Sequence, residues 1–415
     1  MTQTLSSPRL VALRSAVDEG QPDALSKFWA QVTEQGAPLI EAIPDDDEAV
    51  TVTFLWRGAE PVDNVLVFGG PVSWDLVSNR MGRLEGTDVW HLTCRLPKGS
   101  RTSYRLAPND PLSSIRDASD WRARTATWQP DPLNPRTVVF PKDDEIPDDY
   151  EVVVSLLELP GAPAQPWAAS RPGVPSGALH QHLLRSEILD NDRRVWVHTP
   201  PGYTAGGDPY GLVVLFDGGT CRQVIPVPTI LDNLLAEGLV PPLVAVLISN
   251  VDRAKELACH PPFADFLARE LLPWLHERYH VTADPARTVV GGQSLGGLAA
   301  AYAALRYPEA FGNVLSQSGS FWHRPEGERE HEWLTRQYAD TPRLPLRFFL
   351  EVGLLEDGAT PDDGPSMIVV NRHLRTVLHA KGYEVRYSEY VGGHDYPCWR
   401  GTLADGLLAL IGTAD

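Results

Sequence analysis

The chain predicts a two-part protein of the α/β class: a mostly parallel sheet flanked by helices, preceded by an immunoglobulin-like β-sandwich. Three observations carry this expectation. Near-continuous apolar runs such as Leu212 to Phe216, Leu243 to Ile248 and Phe348 to Val352 alternate with helix-like stretches from about residue 190 onward. Such runs are what strands buried on both faces require. Between residues 50 and 106, short alternating strands recur about every ten residues, separated by turn clusters, as in a small sandwich. Prolines and glycines concentrate from Leu159 to Gly177, the composition of a linker.

Taken in order, residues 1–45 read as a helical lead-in, with Leu10, Leu13 and Val17 and then Ala24 to Val32 as its apolar positions. Strands are expected at Val50 to Trp56, Asn64 to Phe68, Val89 to Cys94 and Thr102 to Leu106. This gives an N-terminal sandwich domain with its helical lead-in over 1–158, a linker over 159–180 and an α/β domain over 181–415. In the last of these, strands are expected at Arg193 to His198, Gly211 to Phe216, Leu243 to Ile248, around Val314 to Ser316, at Arg347 to Val352 and at Tyr383 to Tyr390. Helices are expected near Ile230 to Leu235, over Phe263 to Tyr279 and over Val369 to Ala380.

Composition narrows the function. The formal charge of −18 argues against nucleic acid or an anionic membrane surface as a general partner, yet leaves room for a locally basic cleft. Cys94, Cys221, Cys259 and Cys398 lack any paired spacing, so reduced thiols in a cytoplasmic protein are expected. The start has no basic region followed by an apolar one, and no run reaches the length of a membrane span. The length of 415 residues suits two domains.

The chemistry concentrates at Val289-Val290-Gly291-Gly292-Gln293-Ser294-Leu295-Gly296-Gly297. A β-branched run feeds Gly-x-Ser-x-Gly, and a small-residue helix follows. That is the context of a nucleophile elbow, in which a tight strand-to-helix turn lifts a serine off the strand end. Both flanking glycines, Gly292 and Gly296, are expected to be sterically required. The layout is then that of an α/β hydrolase, whose chain order is serine, acid, histidine. His394 follows the last strand in Val391-Gly392-Gly393-His394-Asp395 and is the candidate base, whereas His373 and His379 fall within a helix. Behind the penultimate strand stands Gly353-Leu354-Leu355-Glu356-Asp357. Glu356 is the preferred acid, with Asp357, Glu351, Asp395 or a dyad without an acid as alternatives. The oxyanion donors are expected to be the backbone N–H groups of Leu295 and of Gly219 (Gly218 the alternative), in the turn after Leu215-Phe216-Asp217.

Together these motifs resemble the enterochelin (enterobactin) esterases, serine hydrolases that cut ferric catecholate siderophores. The resemblance covers most of residues 185–412, and Ser316-Gln317-Ser318-Gly319-Ser320 and Gly392-Gly393-His394-Asp395 with Cys398-Trp399-Arg400-Gly401 are its most specific blocks. Phe54-Leu55-Trp56-Arg57, Gly86 to Trp90 and Asp131-Pro132-Leu133-Asn134-Pro135 extend it into the sandwich. Phe321, where Tyr is usual, and Gly219-Thr220 depart from the pattern and leave the siderophore's identity open.

The resemblance implies hydrolysis of ester (lactone) bonds in a ferric tri-catecholate, with iron as cargo and neither cofactor nor resident metal. A ligand of about three negative charges calls for a basic, aromatic pocket. Arg253, Arg400, Arg222, Trp322 and Trp399 are its expected contacts, although an ion pair of Arg253 with Glu256 would serve equally for that arginine. The sandwich, with Arg57, is expected to add binding surface for a bulky ligand, or only to stabilise the fold. A general carboxylesterase or feruloyl-type esterase, or a siderophore binder without chemistry, are the competing readings.

Overall fold

The computed structural model describes residues 7–58, 62–69, 77–113, 121–143, 149–358, 360 and 364–413. The chain forms two compact units. One comprises Met1–Pro163 together with Val391–Pro397, the other Ala164–Tyr390 and Cys398–Asp415.

The N-terminal unit opens with α1 (Pro8–Asp18) and α2 (Ala24–Gln35). Ser7 caps α1 by accepting the Leu10 N–H, and Pro8 occupies a first-turn position where no donor is needed. Leu10, Leu13, Phe28, Trp29 and Val32 bury the helices' apolar faces against Leu39, Leu55 and Val89. The helical lead-in stops short of residue 45, because β1 (Leu39–Ile43) pairs antiparallel with β2 (Asp46–Arg57). The remaining strands are β3 (Val65–Gly69), β4 (Gly82–Arg83), β5 (Val89–Pro97) and β6 (Arg101–Pro108), then, after α3 (Trp121–Ala126), β7 (Thr137–Phe140) and β8 (Val152–Glu158). They make two four-stranded sheets, β1-β2-β5-β4 and β3-β6-β8-β7.

The Asp131 to Pro135 motif is structural. The Tyr104 hydroxyl donates to Asp131 Oδ2 at 2.7 Å, and Asn134 donates to the Tyr104 hydroxyl at 3.1 Å. Arg57 is engaged within its own unit, paired with Asp88 at 2.9 Å and lying over the Trp29 ring.

In the second unit, residues 164–177 run without helix or strand. They are nevertheless tied down, since Asn233 Nδ2 donates to the carbonyls of Trp167 and Ala169 at 2.8 and 2.9 Å. The elements that follow are β9 (Ala178–Ser186), β10 (Asn191–Thr199), β11 (Gly211–Leu215), α4 (Gly218–Gln223), α5 (Val227–Ala236), β12 (Leu243–Ile248) and α6 (Arg253–Glu256). Next, α7 (Pro261–Phe266) and α8 (Leu272–Arg278) are joined without a break by a π-turn at Leu267–Leu271. Within that turn Glu270 accepts from the Ser186 hydroxyl and from the N–H groups of Glu187 and Ile188, capping the connection of β9 to β10. Then come β13 (Thr288–Gln293), α9 (Leu295–Arg306), β14 (Asn313–Gln317), α10 (Trp333–Asp340), β15 (Arg347–Gly353), α11 (Met367–Ala380), β16 (Glu384–Tyr390) and α12 (Tyr396–Ile411).

The eight strands form one sheet, ordered β16-β15-β14-β13-β11-β12-β10-β9. It is parallel from β16 to β12, while β10 runs antiparallel to both of its neighbours. Every residue of β11, β12, β13 and β14 is buried, as the apolar runs require. Against this sheet α9 packs closely: a Cβ on Gly297 would lie 2.3 Å from Ser316 Oγ. Only glycine lets the helix approach so near to β14.

Candidate active site

Ser294 stands between the carboxyl end of β13 and the first turn of α9, with φ 59° and ψ −121°. That conformation is costly for a residue with a side chain and persists only where the surroundings impose it. Its N–H donates to the Gln317 carbonyl at 2.9 Å, and its carbonyl accepts from Ser320 N and Leu298 N. The side chain is partly exposed, with Oγ 3.2 Å from Ser320 Oγ.

The two glycines of the elbow are not equivalent. A Cβ on Gly292 would come within 2.9 Å of the Gly296 backbone, so the turn cannot close over it. On Gly296 a Cβ would meet Phe216 and Asp217 no closer than 3.7 Å, an ordinary contact. The expected steric requirement at Gly296 is therefore absent.

Leu295 is the first residue of α9, where backbone N–H groups have no partner in the preceding turn and the helix dipole favours negative charge. One strand away, Leu215 of β11 pairs with Gly291 of β13. The chain after β11 thus turns beside the elbow. Gly218 wedges against β12, its Cβ position 2.8 Å from Ile248 N, while Gly219 has open space. Gly219 lies in the first turn of α4, where its N–H likewise has no preceding helical acceptor.

Glu356 follows β15 and is 6% exposed, whereas Asp357 is exposed. Its Oε1 accepts from Gly353 N at 2.7 Å, Ser318 Oγ at 2.6 Å and the Tyr390 hydroxyl at 3.1 Å. Trp399 Nε1 donates onward to Ser318 Oγ at 3.1 Å. The donors form a directed chain ending on one carboxylate oxygen, an arrangement that fixes its orientation. Burial, reinforced by the charge of Glu356, raises the Tyr390 phenol well above its ordinary range. Ser318 and Tyr390 were not singled out individually from the sequence. The signal was the Ser-Gln-Ser-Gly-Ser block, whose middle serine donates to Glu356.

Beneath the elbow lies a second carboxyl, Glu351, 1% exposed. Gln293 donates to Gln317 at 2.8 Å, and Gln317 Nε2 donates to Glu351 Oε1 at 2.8 Å. Thr402 Oγ1 donates to the same oxygen at 2.5 Å. Burial outweighs these bonds and pushes the Glu351 carboxyl up to about 8.

His394 lies in the connection from β16 to α12 and is exposed. Its neighbour Asp395 is buried, accepting at Oδ2 from Thr102 Oγ1 at 3.2 Å and from the Ser103 N–H.

The expected ligand contacts divide. Trp399 is 2% exposed and donates to Ser318, so its ring is buried beside Glu356 and offers no face to a ligand. Arg253 does not pair with Glu256. It forks onto Asp217 through Nε and Nη2 at 2.7 and 2.8 Å, with Asn250 donating to the same carboxylate. Glu256 instead meets the buried Arg193 at 2.8 Å; removing one member of such a pair costs about 3–5 kcal/mol. Arg222 lies 5.0 Å over the Trp196 ring. Trp322 is partly exposed just beyond β14. Arg400 Nε donates to Gln165 at 2.8 Å. An open depression of about 530 Å³ lined by Arg375, His379, Arg386 and Tyr387 contains none of these residues.

Among the described residues, no group of His, Cys, Asp and Glu is placed to hold a metal ion. No described helix is long and apolar enough to cross a membrane.

An elbow serine on a mostly parallel eight-stranded sheet defines an esterase of the α/β-hydrolase fold. The putative esterase family model matches residues 186–410, and the model for the N-terminal domain of enterochelin esterases matches 51–168. The chain belongs to the enterochelin esterase family. It is 35% identical to the iron(III) enterobactin esterase of Escherichia coli K12, over 88% of this chain and 92% of that one. It is 30% identical to an iron(III) salmochelin esterase of E. coli, over 97% and 98%. The crystal structure of the enterobactin esterase from Shigella flexneri in the presence of enterobactin superposes with a TM-score of 0.69 at 32% identity, covering 92% of this chain and 97% of that one. The ferric enterobactin esterase from Salmonella typhimurium gives 0.72 at 32% identity, covering 93% and 98%.

Proposed function

We propose that this chain hydrolyses the ester bonds of a ferric tri-catecholate siderophore such as enterobactin, releasing its iron in the cytoplasm. The observation that carries the chemistry is Ser294, held at φ 59° between a buried strand and a helix N-terminus. The substrate class rests on relatives whose names specify iron(III) enterobactin and salmochelin. All four cysteines are unpaired, which suits a reducing compartment.

Ser294 Oγ attacks the ester carbonyl while His394 takes its proton, and Glu356 holds the imidazole in the productive tautomer. The N–H groups of Leu295 and Gly219 receive the oxyanion. Collapse of the tetrahedral species expels the alcohol of the cleaved ester, which is protonated by His394, and leaves an acyl-enzyme on Ser294. Water, deprotonated by His394, then attacks the acyl carbon and frees the acid and the serine. Arg253, Arg400, Arg222 and Trp322 are the residues assigned to the anionic ligand; Asp217 already compensates part of the Arg253 charge.

The test is product mass spectrometry on ferric and iron-free catecholate siderophores with wild type and Ser294→Ala. Wild type should yield ester-cleaved fragments, and the variant should lose roughly 10³-fold or more in kcat. Near-wild-type turnover by the variant, or turnover of simple esters with none of the siderophores, would overturn the reading.

A further inference from the structure

The segment Val391–Pro397 groups with the N-terminal unit, although the residues on either side of it in the chain belong to the α/β unit. The contacts responsible centre on the first three residues of β6. Arg101 N donates to the Val391 carbonyl at 3.3 Å, and Arg101 forms a parallel bridge with Gly392. Thr102 Oγ1 and the Ser103 N–H both donate to Asp395 Oδ2. One residue further, the Tyr396 ring meets Phe140 of β7 edge-on, 5.4 Å between centroids.

The strand that provides these donors is itself firmly held. The buried Arg101 side chain donates to Glu158 Oε1 at 2.5 Å and to the Pro163 carbonyl at 2.6 Å, and Ser103 pairs with Leu156 of β8. A carboxylate that is 7% exposed and receives two donors is a strong local clamp, because leaving those donors unpaired in a buried place is costly. Between the clamped Gly392 and the clamped Asp395 sits the exposed His394.

We infer that Asp395 is a positioning residue for the base, and that β6 of the sandwich sets where the His394 imidazole is held. The inference rests on the reading of His394 as the base proposed above. Misplacing a catalytic group by about 1 Å costs on the order of 10²-fold in rate.

The experiment uses the full chain with p-nitrophenyl acetate, a substrate too small to need a siderophore pocket. Asp395→Ala should lower kcat about 10²-fold with KM changed less than about threefold. Asp395→Asn keeps an acceptor for the Ser103 N–H and should recover to within about tenfold of wild type. Thr102→Val removes one donor and should cost about threefold to tenfold in kcat; it carries the test if Asp395→Ala does not fold.

Unchanged kcat in Asp395→Ala (or in Thr102→Val, where that variant carries the test) would overturn the inference. So would Asp395→Asn falling as far as Asp395→Ala. His394→Ala separates the two ideas. If it keeps full activity, the reading of His394 as base fails. If it is inactive while Asp395→Ala is normal, only the positioning role fails.

Discussion

The elbow around Ser294 and the turn around Glu356 occupy the same edge of one sheet but are built by different means. The elbow is a backbone object: glycine sterics, one strained serine and the start of a helix fix it within ten consecutive residues. The acid turn is a side-chain object. Its carboxylate is held through Ser318 of the β14 loop, Tyr390 of β16 and Trp399 of α12, and the last of these contacts spans 81 positions of sequence. A site made by local sterics tolerates almost no change at its closest approach, whereas a hydrogen-bond network loses function in steps.

The largest effect should come from the elbow. Gly292→Ala puts a methyl group 2.9 Å from the Gly296 backbone, so labelling of Ser294 by a fluorophosphonate should fall by about 10²-fold or more, because Ser294 and the proposed donor Leu295 move with the turn. Gly296→Ala has room and should stay within about threefold of wild type. Equal damage from both would mean that the motif acts through its glycines' flexibility and not through contact.

A smaller, graded response is expected at Glu356, the proposed acid. Glu356→Gln should lower kcat about 10²-fold and Ser318→Ala about tenfold, with Asp357→Asn within about twofold. A larger loss from Asp357→Asn than from Glu356→Gln in steady-state kinetics would transfer the role to the exposed neighbour.

The smallest effect separates catalysis from stability in the layer beneath both regions. In the folded chain Glu351 keeps its proton to about pH 8, against an ordinary value of 4.5. Between those values the folded state binds more protons than the unfolded one, so stability falls as pH rises through that window. Glu351→Gln keeps the acceptor for Gln317 and Thr402 but cannot ionise. Its melting temperature should decline less than that of wild type from pH 5 to pH 8.5, and an identical decline would show that Glu351 ionises freely.

The contrast also explains what the sequence revealed. The parallel strands were legible because burial on both faces leaves uninterrupted apolar runs, and Ser294 because its turn is local. The edge strand β9 was missed since its residues Ala178 to His182 are mostly exposed and carry no apolar pattern. In the lead-in, read as helical to residue 45, the strand at Leu39–Ile43 shows itself only through its pairing with β2, as in Leu39 with Thr53. Helix α12 was hidden behind the Cys398-Trp399-Arg400 block, which reads as a ligand loop. Trp399 was misplaced for the same reason, and the partner of Arg253 because Asp217 lies 36 positions away while Glu256 is next in line.

The π-turn at Leu267–Leu271 stores one extra residue inside an otherwise regular helix, as such turns do. Each residue of an α-helix advances it by about 100°. Because the wide turn takes up its extra residue, the helix on either side keeps the phase of a helix one residue shorter. A single-residue deletion in α8 would rotate everything beyond it by that angle and carry Leu275, now buried, out of the core, whereas a deletion inside the turn that spares Glu270 would restore uniform α geometry with both ends still facing their present neighbours. The turn is thus the part of this helix whose length can change without a change of phase.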